Sequence, residues 1–125
     1  MKLAAVCDER VACLDECEKK FSDVFCYSNY QDLISSKKVD AVIVSVPHRL
    51  HAKISIDAMH AGLHVIVEKP IAMSIEEADK VIKAVEKTGV KACACHQNRF
   101  NIAVQELRKA IDNGRFGKLS HGNVN

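Results

Sequence analysis

The chain alternates short apolar runs with longer amphipathic segments. The apolar runs predict strands over residues 2–7, 24–27, 40–46, 63–67 and 90–95. Segments with apolar residues at near-helical spacing predict helices over residues 11–21, 30–35, 48–61, 74–88 and 101–112. A further extended segment begins at residue 118 and runs to residue 125. Strands that alternate with helices predict an α/β fold with a parallel sheet and right-handed crossovers.

Capping residues mark two of the helices. Ser74 and Glu77 have the spacing of a capping box and predict the start of a helix. We expect the apolar face of this helix to comprise Ile75, Ala78, Val81, Ile82 and Val85. Gly62 follows the preceding helix and is predicted to adopt the left-handed conformation that ends it.

The most informative segment is LHVIVEKP, residues 63–70. Its apolar part is typical of a parallel strand covered on both faces. The strand leads directly into Glu68, Lys69 and Pro70. Because ligands of open parallel sheets bind outside the carboxyl ends of the strands, these three residues are predicted to lie in a site.

Length and composition exclude several classes of protein. A chain of 125 residues with 48% hydrophobic and 27% charged residues is typical of one globular domain. The net charge of +2, without a basic stripe interleaved with aromatics, argues against nucleic acid as a partner. No apolar stretch is long enough for a membrane span or a signal peptide. Six cysteines without a secretion signal favour free thiols and a cytoplasmic location.

The cysteines raise the question of a metal site. Cys93 and Cys95 are followed by His96, and Cys13 and Cys17 have helical spacing. Structural zinc sites usually combine two spaced pairs of ligands, and this pattern is not present. We therefore expect no metal site and interpret the thiols as small hydrophobic side chains.

With these motifs in place, the chain resembles the Gfo/Idh/MocA family of oxidoreductases. The resemblance rests on AAVCD at residues 4–8, the segment from residue 39 through EKP to residue 89, HQNRFN at 96–101 and NGRFGKLSHGNV at 113–124. It implies a Rossmann-like, doubly wound parallel sheet over residues 1–117, with residues 118–125 beginning the connection to a C-terminal α/β substrate domain. It also implies hydride transfer between NAD, or NADP, and a small-molecule sugar, inositol or nucleotide-sugar alcohol.

The chain departs from the family pattern at both ends. The Rossmann fingerprint places its acidic residue about 20 residues after a glycine-rich turn, but only seven residues precede Asp8. The family's catalytic histidine lies in the second domain. We therefore expect an incomplete fold that lacks the first βα unit and the substrate domain. On this view the chain is a piece of an enzyme or the product of a disrupted gene, and it is inactive alone.

The resemblance assigns roles at the carboxyl ends of two strands. Lys69 is the candidate catalytic residue, which donates a hydrogen bond to the reacting oxygen. Glu68 would hold its ammonium group, and Pro70 completes the motif. The alternative for Lys69 is an ordinary surface ion pair. Asp8 would bind the adenosine ribose, and its alternative role is a helix N-cap. Arg10 leaves NADP as an alternative to NAD as the cofactor. The Lys69–Pro70 bond is cis in some relatives, against about 5–6% of such bonds in general.

Two further segments are candidates for cofactor contacts. Pro47 and His48 resemble the family's loop over the cofactor. His51 lies one turn on, and a partly exposed helix face is its alternative. Three residues are predicted to approach the nicotinamide and substrate cleft: Gln97, Asn98 and Arg99. Asn98 and Arg99 have capping of the next helix as their alternative.

A second class of function stays open at this point. The chain could be a catalytically inactive remnant or a partner-binding module that pairs through an open sheet edge. In the intact form the resemblance implies a homo-oligomer, because family members commonly pair through their second domain. The affinity of the chain for NAD distinguishes the oxidoreductase hypothesis from the hypothesis of a remnant or partner-binding module.

Overall fold

The computed structural model describes residues 2–122. It divides into two units, Met1–Cys95 and His96–Asn125, and each is described by itself. The first unit contains every strand found in the described range. Over residues 96–122 the second unit contains one helix and one 3-10 turn.

The first unit is built on parallel strands. Their bounds are β1 Ala5–Cys7, β2 Phe25–Tyr27, β3 Ala41–Val44, β4 His64–Glu68 and β5 Ala92–Cys95. β1 pairs with β2, and β3, β4 and β5 form a second sheet in that order. The predicted α/β class and the five predicted strands are confirmed, although four observed strands are shorter than the apolar runs that predicted them and β4 is shifted by one residue.

Helices follow the strands as the periodicity predicts. Their bounds are α1 Val11–Lys20, α2 Tyr30–Ser35, α3 His51–His60, α4 Ile75–Thr88 and α5 Ile102–Asp112. Two 3-10 turns, His48–Leu50 and Gln97–Phe100, precede α3 and α5. No strand is found over residues 118–122, and the rest of the extended segment predicted there lies outside the described residues.

Helix ends agree with the capping signals, with two differences. The Ser74 hydroxyl accepts from Glu77 N at 3.2 Å, whereas the Glu77 carboxylate accepts from Met73 N, one residue before the expected partner. Gly62 lies at φ +83°, which favours glycine because it has no Cβ. The side chain of Asn101 caps α5 through Ala103 N, so the capping role considered for Asn98 and Arg99 is wrong.

One face of the three-stranded sheet carries the core. Val44, Val65 and Val67 are buried among residues of α3 and α4 that include Ala58 and Met59. This burial of β-branched and small side chains supplies most of the stabilisation of the first unit, at about 25 cal/mol per Å² of apolar surface.

The opposite face and part of α4 do not agree with the sequence prediction. Ile43 is 64% exposed and Ile66 is 39% exposed, so β4 is covered on only one face within the described range. Ile75 and Ile82 are also exposed, which corrects the predicted apolar face of α4. The buried stripe of this helix runs through Val81 and Ala84, and Ile82 is rotated about 100° from Val81 around the helix axis.

No helix among residues 2–122 has both the length and the apolar character that a membrane crossing requires. No disulfide joins any of the six cysteines within residues 2–122. Burial and the neighbouring Asp8 carboxylate raise the pKa of the Cys7 thiol, which keeps that group neutral.

Candidate functional site

The carboxyl ends of β3 and β4 lie side by side. Val44 is in register with Val67, so the chain leaves both strands at the same edge of the sheet. The loop after β3 contains Val46, Pro47 and His48, and the loop after β4 contains Lys69 and Pro70. This edge brings together two of the segments that the sequence singled out.

His51 connects these two loops. Its Nδ1 lies 2.6 Å from the carbonyl oxygen of Pro70, and its Nε2 lies 2.8 Å from the carbonyl oxygen of Val46. A neutral ring carries one N–H and donates to one of these carbonyls, whereas a protonated imidazolium donates to both. Each ring nitrogen thus faces a backbone oxygen of a different loop, so the imidazole fixes the two loops relative to each other.

The burial of His51 corrects one sequence interpretation. The side chain is 1% exposed, so the alternative of a partly exposed helix face is wrong. Its predicted contact with a cofactor stays a prediction, because its ring nitrogens face backbone carbonyls. Sequence reasoning missed this bridging role. The signal that could have found it is a histidine one turn into a helix that follows a strand and proline.

Lys69 stands at the end of β4 with its side chain exposed. The Lys69–Pro70 peptide bond is cis, as in some members of the family that the sequence resembles. Neither Lys69 nor Glu68 forms an ion pair with any residue between 2 and 122. Neither the surface-ion-pair alternative nor the expected contact of Glu68 with the Lys69 ammonium group therefore has support there. An ammonium group offers three N–H donors to a ligand oxygen.

The loop after β3 presents His48 beside His51. The two ring centroids are 5.4 Å apart at an interplanar angle of 60°. Pro47 precedes the 3-10 turn, and its carbonyl accepts from Leu50 N at 2.8 Å. The turn is thereby closed, with Pro47 and His48 exposed at the strand-end edge.

Asp8 follows β1 and is held by Arg10. The Asp8 carboxylate accepts from Arg10 N at 2.9 Å, and the guanidinium donates to both carboxylate oxygens at 3.1 Å. These hydrogen bonds hold the pKa of the Asp8 carboxyl below its usual range. The N-cap position of α1 is Arg10, which corrects the N-cap alternative for Asp8. A ribose would have to share or replace the Arg10 contacts.

Gln97, Asn98 and Arg99 lie together in the 3-10 turn of the second unit, all exposed. Arg99 N donates to His96 O and Asn101 N donates to Asn98 O, which closes this turn. Their predicted contact with a cofactor or substrate stays a prediction.

A second polar cluster, which the sequence did not suggest, joins α2 to α3. The Tyr30 hydroxyl donates to the Asp57 carboxylate at 2.8 Å, and Lys53 Nζ lies 2.8 Å from Tyr30 and 2.7 Å from Asp57. Burial raises the pKa of Asp57, but the hydrogen bonds from Lys53 and Tyr30 outweigh it and lower the pKa below its usual value. The tyrosine and aspartate are 27 positions apart, which hides this contact from periodicity.

A comparison with known families identifies the first unit. The family described as "Oxidoreductase family, NAD-binding Rossmann fold" (GFO_IDH_MocA) matches residues 1–96. The chain belongs to this family. The resemblance seen in the sequence is therefore confirmed, as is a partial Rossmann fold.

Curated relatives of this family member have several activities. The chain is 31% identical to D-glucoside 3-dehydrogenase of Escherichia coli, over 95% of this chain and 34% of the relative. It is 30% identical to inositol 2-dehydrogenase of Salmonella typhimurium, over 98% of this chain and 38% of the relative. It is 32% identical to alpha-N-acetylgalactosaminidase of Shewanella oneidensis, over 98% of this chain and 28% of the relative. The chain thus spans about a third of their length.

Solved structures agree on the fold and the cofactor class. The WlbA dehydrogenase from Bordetella pertussis, in complex with NADH and UDP-GlcNAcA, superposes with a TM-score of 0.89 at 32% identity, over 94% of this chain and 34% of that chain. Scyllo-inositol dehydrogenase from Lactobacillus casei, with bound NAD(H) and scyllo-inositol, superposes with a TM-score of 0.88 at 25% identity, over 94% of this chain and 35% of that chain. A nicotinamide dinucleotide is therefore confirmed as the cofactor class of the domain.

The described residues fit part of such a cofactor. The Asp8 carboxylate supplies acceptors for ribose hydroxyls, and Lys69 supplies donors at the end of β4. A Rossmann domain also needs a glycine-rich turn whose backbone cradles the pyrophosphate. The glycines of this chain are at positions 62, 89, 114, 117 and 122, and none follows the first strand of a βαβ unit. The predicted contacts of Asp8 and Lys69 with the cofactor stay predictions, and no glycine-rich phosphate cradle lies among residues 2–122.

Proposed function

We propose that this chain is the nicotinamide-binding portion of an oxidoreductase that acts on a CH–OH group of a sugar, an inositol or a nucleotide sugar. Family membership and the activities of the dehydrogenase relatives support the reaction class. The substrate class is supported by the nucleotide sugar and the inositol named for the two solved structures. The cofactor supplies the hydride acceptor or donor when it is bound.

The observation that carries the proposal is the His51 bridge beside Lys69. Lys69 lies between Glu68 and Pro70, and Pro70 is tied to Val46 by the buried imidazole. A lysine whose backbone is held at this edge donates a hydrogen bond to the reacting oxygen and favours its alkoxide-like character. Removing one such donor costs about 10²–10³ in kcat in characterised enzymes. His51 is a positioning residue in this scheme, because it acts through Pro70.

The remaining predicted contacts complete the proposed site. Asp8 binds the adenosine ribose and favours NAD, while Arg10 leaves NADP as the alternative. Pro47 and His48 lie over the cofactor. Gln97, Asn98 and Arg99, in the second unit, are further candidate contacts to a cofactor or substrate. A histidine outside this chain serves as acid or base. The intact enzyme is cytoplasmic and homo-oligomeric.

One relative favours a second candidate reaction. Alpha-N-acetylgalactosaminidase of Shewanella oneidensis is 32% identical to this chain. The name of this relative denotes glycoside cleavage, so net oxidation and glycoside cleavage are alternative outcomes at the same site. Product analysis separates them, because cleavage releases a free sugar without net NADH.

The first test is the DNA sequence on both sides of this reading frame. The proposal expects an upstream strand with a GxGxxG turn and a downstream sheet domain with a histidine. In-frame stop codons on both sides in intact DNA would contradict it.

The second test is the activity of the protein expressed from the longer frame. We expect NAD-linked oxidation of a cyclic polyol or glycoside, measured by NADH absorbance, and about a 10²-fold lower kcat for Lys69→Met with little change in KM for NAD. Lys80→Met, on the exposed side of α4, is the matched control and should keep full activity. Equal kcat values for both variants would remove Lys69 from the mechanism.

A further inference from the structure

The outer sides of α3 and α4 enclose a groove, which we call the α3–α4 groove. It comprises two adjoining depressions of about 250 and 290 Å³, and Ile56 and Lys80 line both of them. Its floor is formed by small or apolar side chains that are buried or half-buried: Ala52, Ile56 and Ala84. The groove therefore offers an apolar floor between two helices.

Basic side chains form the rim of the α3–α4 groove. Lys80, Lys83 and Lys87 recur at intervals of three and four residues, so they lie along one side of α4. Lys53 lies on α3, and Arg49 lies in the 3-10 turn that precedes this helix. All five side chains are exposed. The rim is thus strongly positive, although the net charge of the whole chain is only +2.

The two acidic residues that line the first depression already have hydrogen-bond partners. The Asp57 carboxylate accepts from Lys53 Nζ at 2.7 Å and from the Tyr30 hydroxyl at 2.8 Å. The Glu77 carboxylate accepts from Met73 N at 2.9 Å. These two carboxylates therefore neutralise one rim cation, Lys53, and serve a helix terminus.

The other rim cations have no ion-pair partner in the part of the chain that the structure describes. Four of them form no ion pair with any residue between 2 and 122: Arg49, Lys80, Lys83 and Lys87. Lys80 has a charge interaction with Glu76, but the two groups are not in ion-pair contact. A row of such cations attracts an anionic ligand.

The exposure of the α3–α4 groove follows from the architecture of the domain. The inner sides of both helices pack against the three-stranded sheet through buried residues that include Met59 and Val81. In a doubly wound fold such helices form the outermost layer, so no strand or further helix of a Rossmann domain packs over their outer sides. The groove is thus an outer surface of the domain whichever strands complete the sheet.

The spacing of the charges favours a ligand with several carboxylates. From Lys80 to Lys87 the rim extends over seven residues, which is about 10 Å of helix. Charges spread over this length suit a row of carboxylates better than a single phosphate, whose donors converge on one point. Among residues 2–122, no phenylalanine, tyrosine or tryptophan lines the groove, so the bases of a nucleic acid would lack their usual stacking partners.

We propose that the α3–α4 groove is a docking surface for an acidic, amphipathic segment of a partner protein. The carboxylates of this segment pair with the rim cations, and its apolar side chains contact Ile56 and Ala84, as when a helix binds in a groove. Because the ion pairs are exposed, each contributes little, and binding is weak and sensitive to salt. This inference concerns a binding partner and goes beyond the proposed reaction.

The test is an NMR titration of the isotope-labelled 125-residue chain with the synthetic peptide EELEELLEE. We expect chemical-shift changes at Ile56, Lys80, Lys83 and Lys87, with a dissociation constant of about 0.1–1 mM at low salt. Raising the ionic strength from about 0.01 to 0.15 M should weaken binding several-fold, because the Debye length falls from about 30 to 8 Å. The peptide QQLQQLLQQ keeps the leucines without the charges and should bind at least about tenfold more weakly.

Two double variants with the same change of net charge locate the site. Lys83→Glu combined with Lys87→Glu reverses two rim charges, so attraction becomes repulsion and the acidic peptide should bind at least about tenfold more weakly. Lys19→Glu combined with Lys20→Glu places the same change at the exposed end of α1. This control should weaken binding by less than about twofold, because its charges are screened from the groove.

Four results would overturn the proposal. Equal affinities of the two double variants would show that the rim does not bind the peptide, as would equal affinities of the acidic and the uncharged peptide. Tighter binding of an oligothymidylate at the same residues would assign the groove to nucleic acid. Loss of peptide binding in the protein expressed from the longer frame would show that another part of that protein covers the groove.

Discussion

Replacing His51 tests whether its imidazole fixes the two strand-end loops. His51→Phe removes the ring-nitrogen contacts of 2.6 and 2.8 Å and keeps a ring in the buried space. Each hydrogen bond lost should cost about 1 kcal/mol. The expected loss of unfolding free energy is therefore about 1 kcal/mol for a neutral ring, which donates to one carbonyl, and about 2 kcal/mol for a protonated ring, which donates to both. His51→Ala adds a cavity and should cost about 1–2 kcal/mol more.

Urea unfolding measures these losses as shifts of the midpoint at unchanged slope. His60→Phe, at the exposed end of the same helix, is the matched control and should lie within about 0.5 kcal/mol of the original chain. Amide exchange should also become faster at His48 and Lys69, with little change at the core residue Met59. A loss below about 0.5 kcal/mol for His51→Phe, or exchange that rises evenly throughout the first unit, would refute the bridging role.

Three further results are expected. Ser55→Ala should raise the unfolding free energy, measured from the urea midpoint, by up to about 1 kcal/mol, because the buried Ser55 hydroxyl has no partner within residues 2–122. A clear loss of unfolding free energy would reveal a partner. Because the pKa of Asp57 is lowered in the folded state, its carboxylate stabilises the fold above the unfolded pKa of about 3.9, and this stabilisation is lost as the pH falls. Asp57→Asn should therefore reduce the fall of the urea midpoint with decreasing pH. An unchanged fall would contradict this. Arg10→Ala should raise the pKa of Asp8, followed by carboxyl NMR, while Lys20→Ala should leave it unchanged; equal pKa values in both variants would disprove the Asp8–Arg10 contact.

The sequence pattern predicted most of the helices and strands because interactions between residues close in the sequence determine them. Hydrophobic spacing predicted the strand and helix order, and Ser74 marked the start of α4 through capping. The position of Lys69 at a strand end followed from the apolar run before it. These features depend on residues a few positions apart in the sequence.

Features that depend on distant contacts were missed. The burial of His51 depends on two carbonyls, and Pro70 is 19 positions away. The exposure of Ile66 depends on what covers the second sheet face, which periodicity does not report. Capping of α5 by Asn101 rather than Asn98 or Arg99 depended on an additional 3-10 turn. Tertiary context decided each of these cases.

The most direct test of the central claim is an NMR titration of the labelled chain with NAD⁺. The account predicts weak binding, with a dissociation constant above about 1 mM because the phosphate cradle is not among residues 2–122. Chemical-shift changes should nevertheless be concentrated at the strand-end edge, at Asp8, His48 and Lys69. Changes confined to the outer surfaces of α3 and α4, or no changes at saturating concentrations, would contradict the placement of the cofactor at this edge.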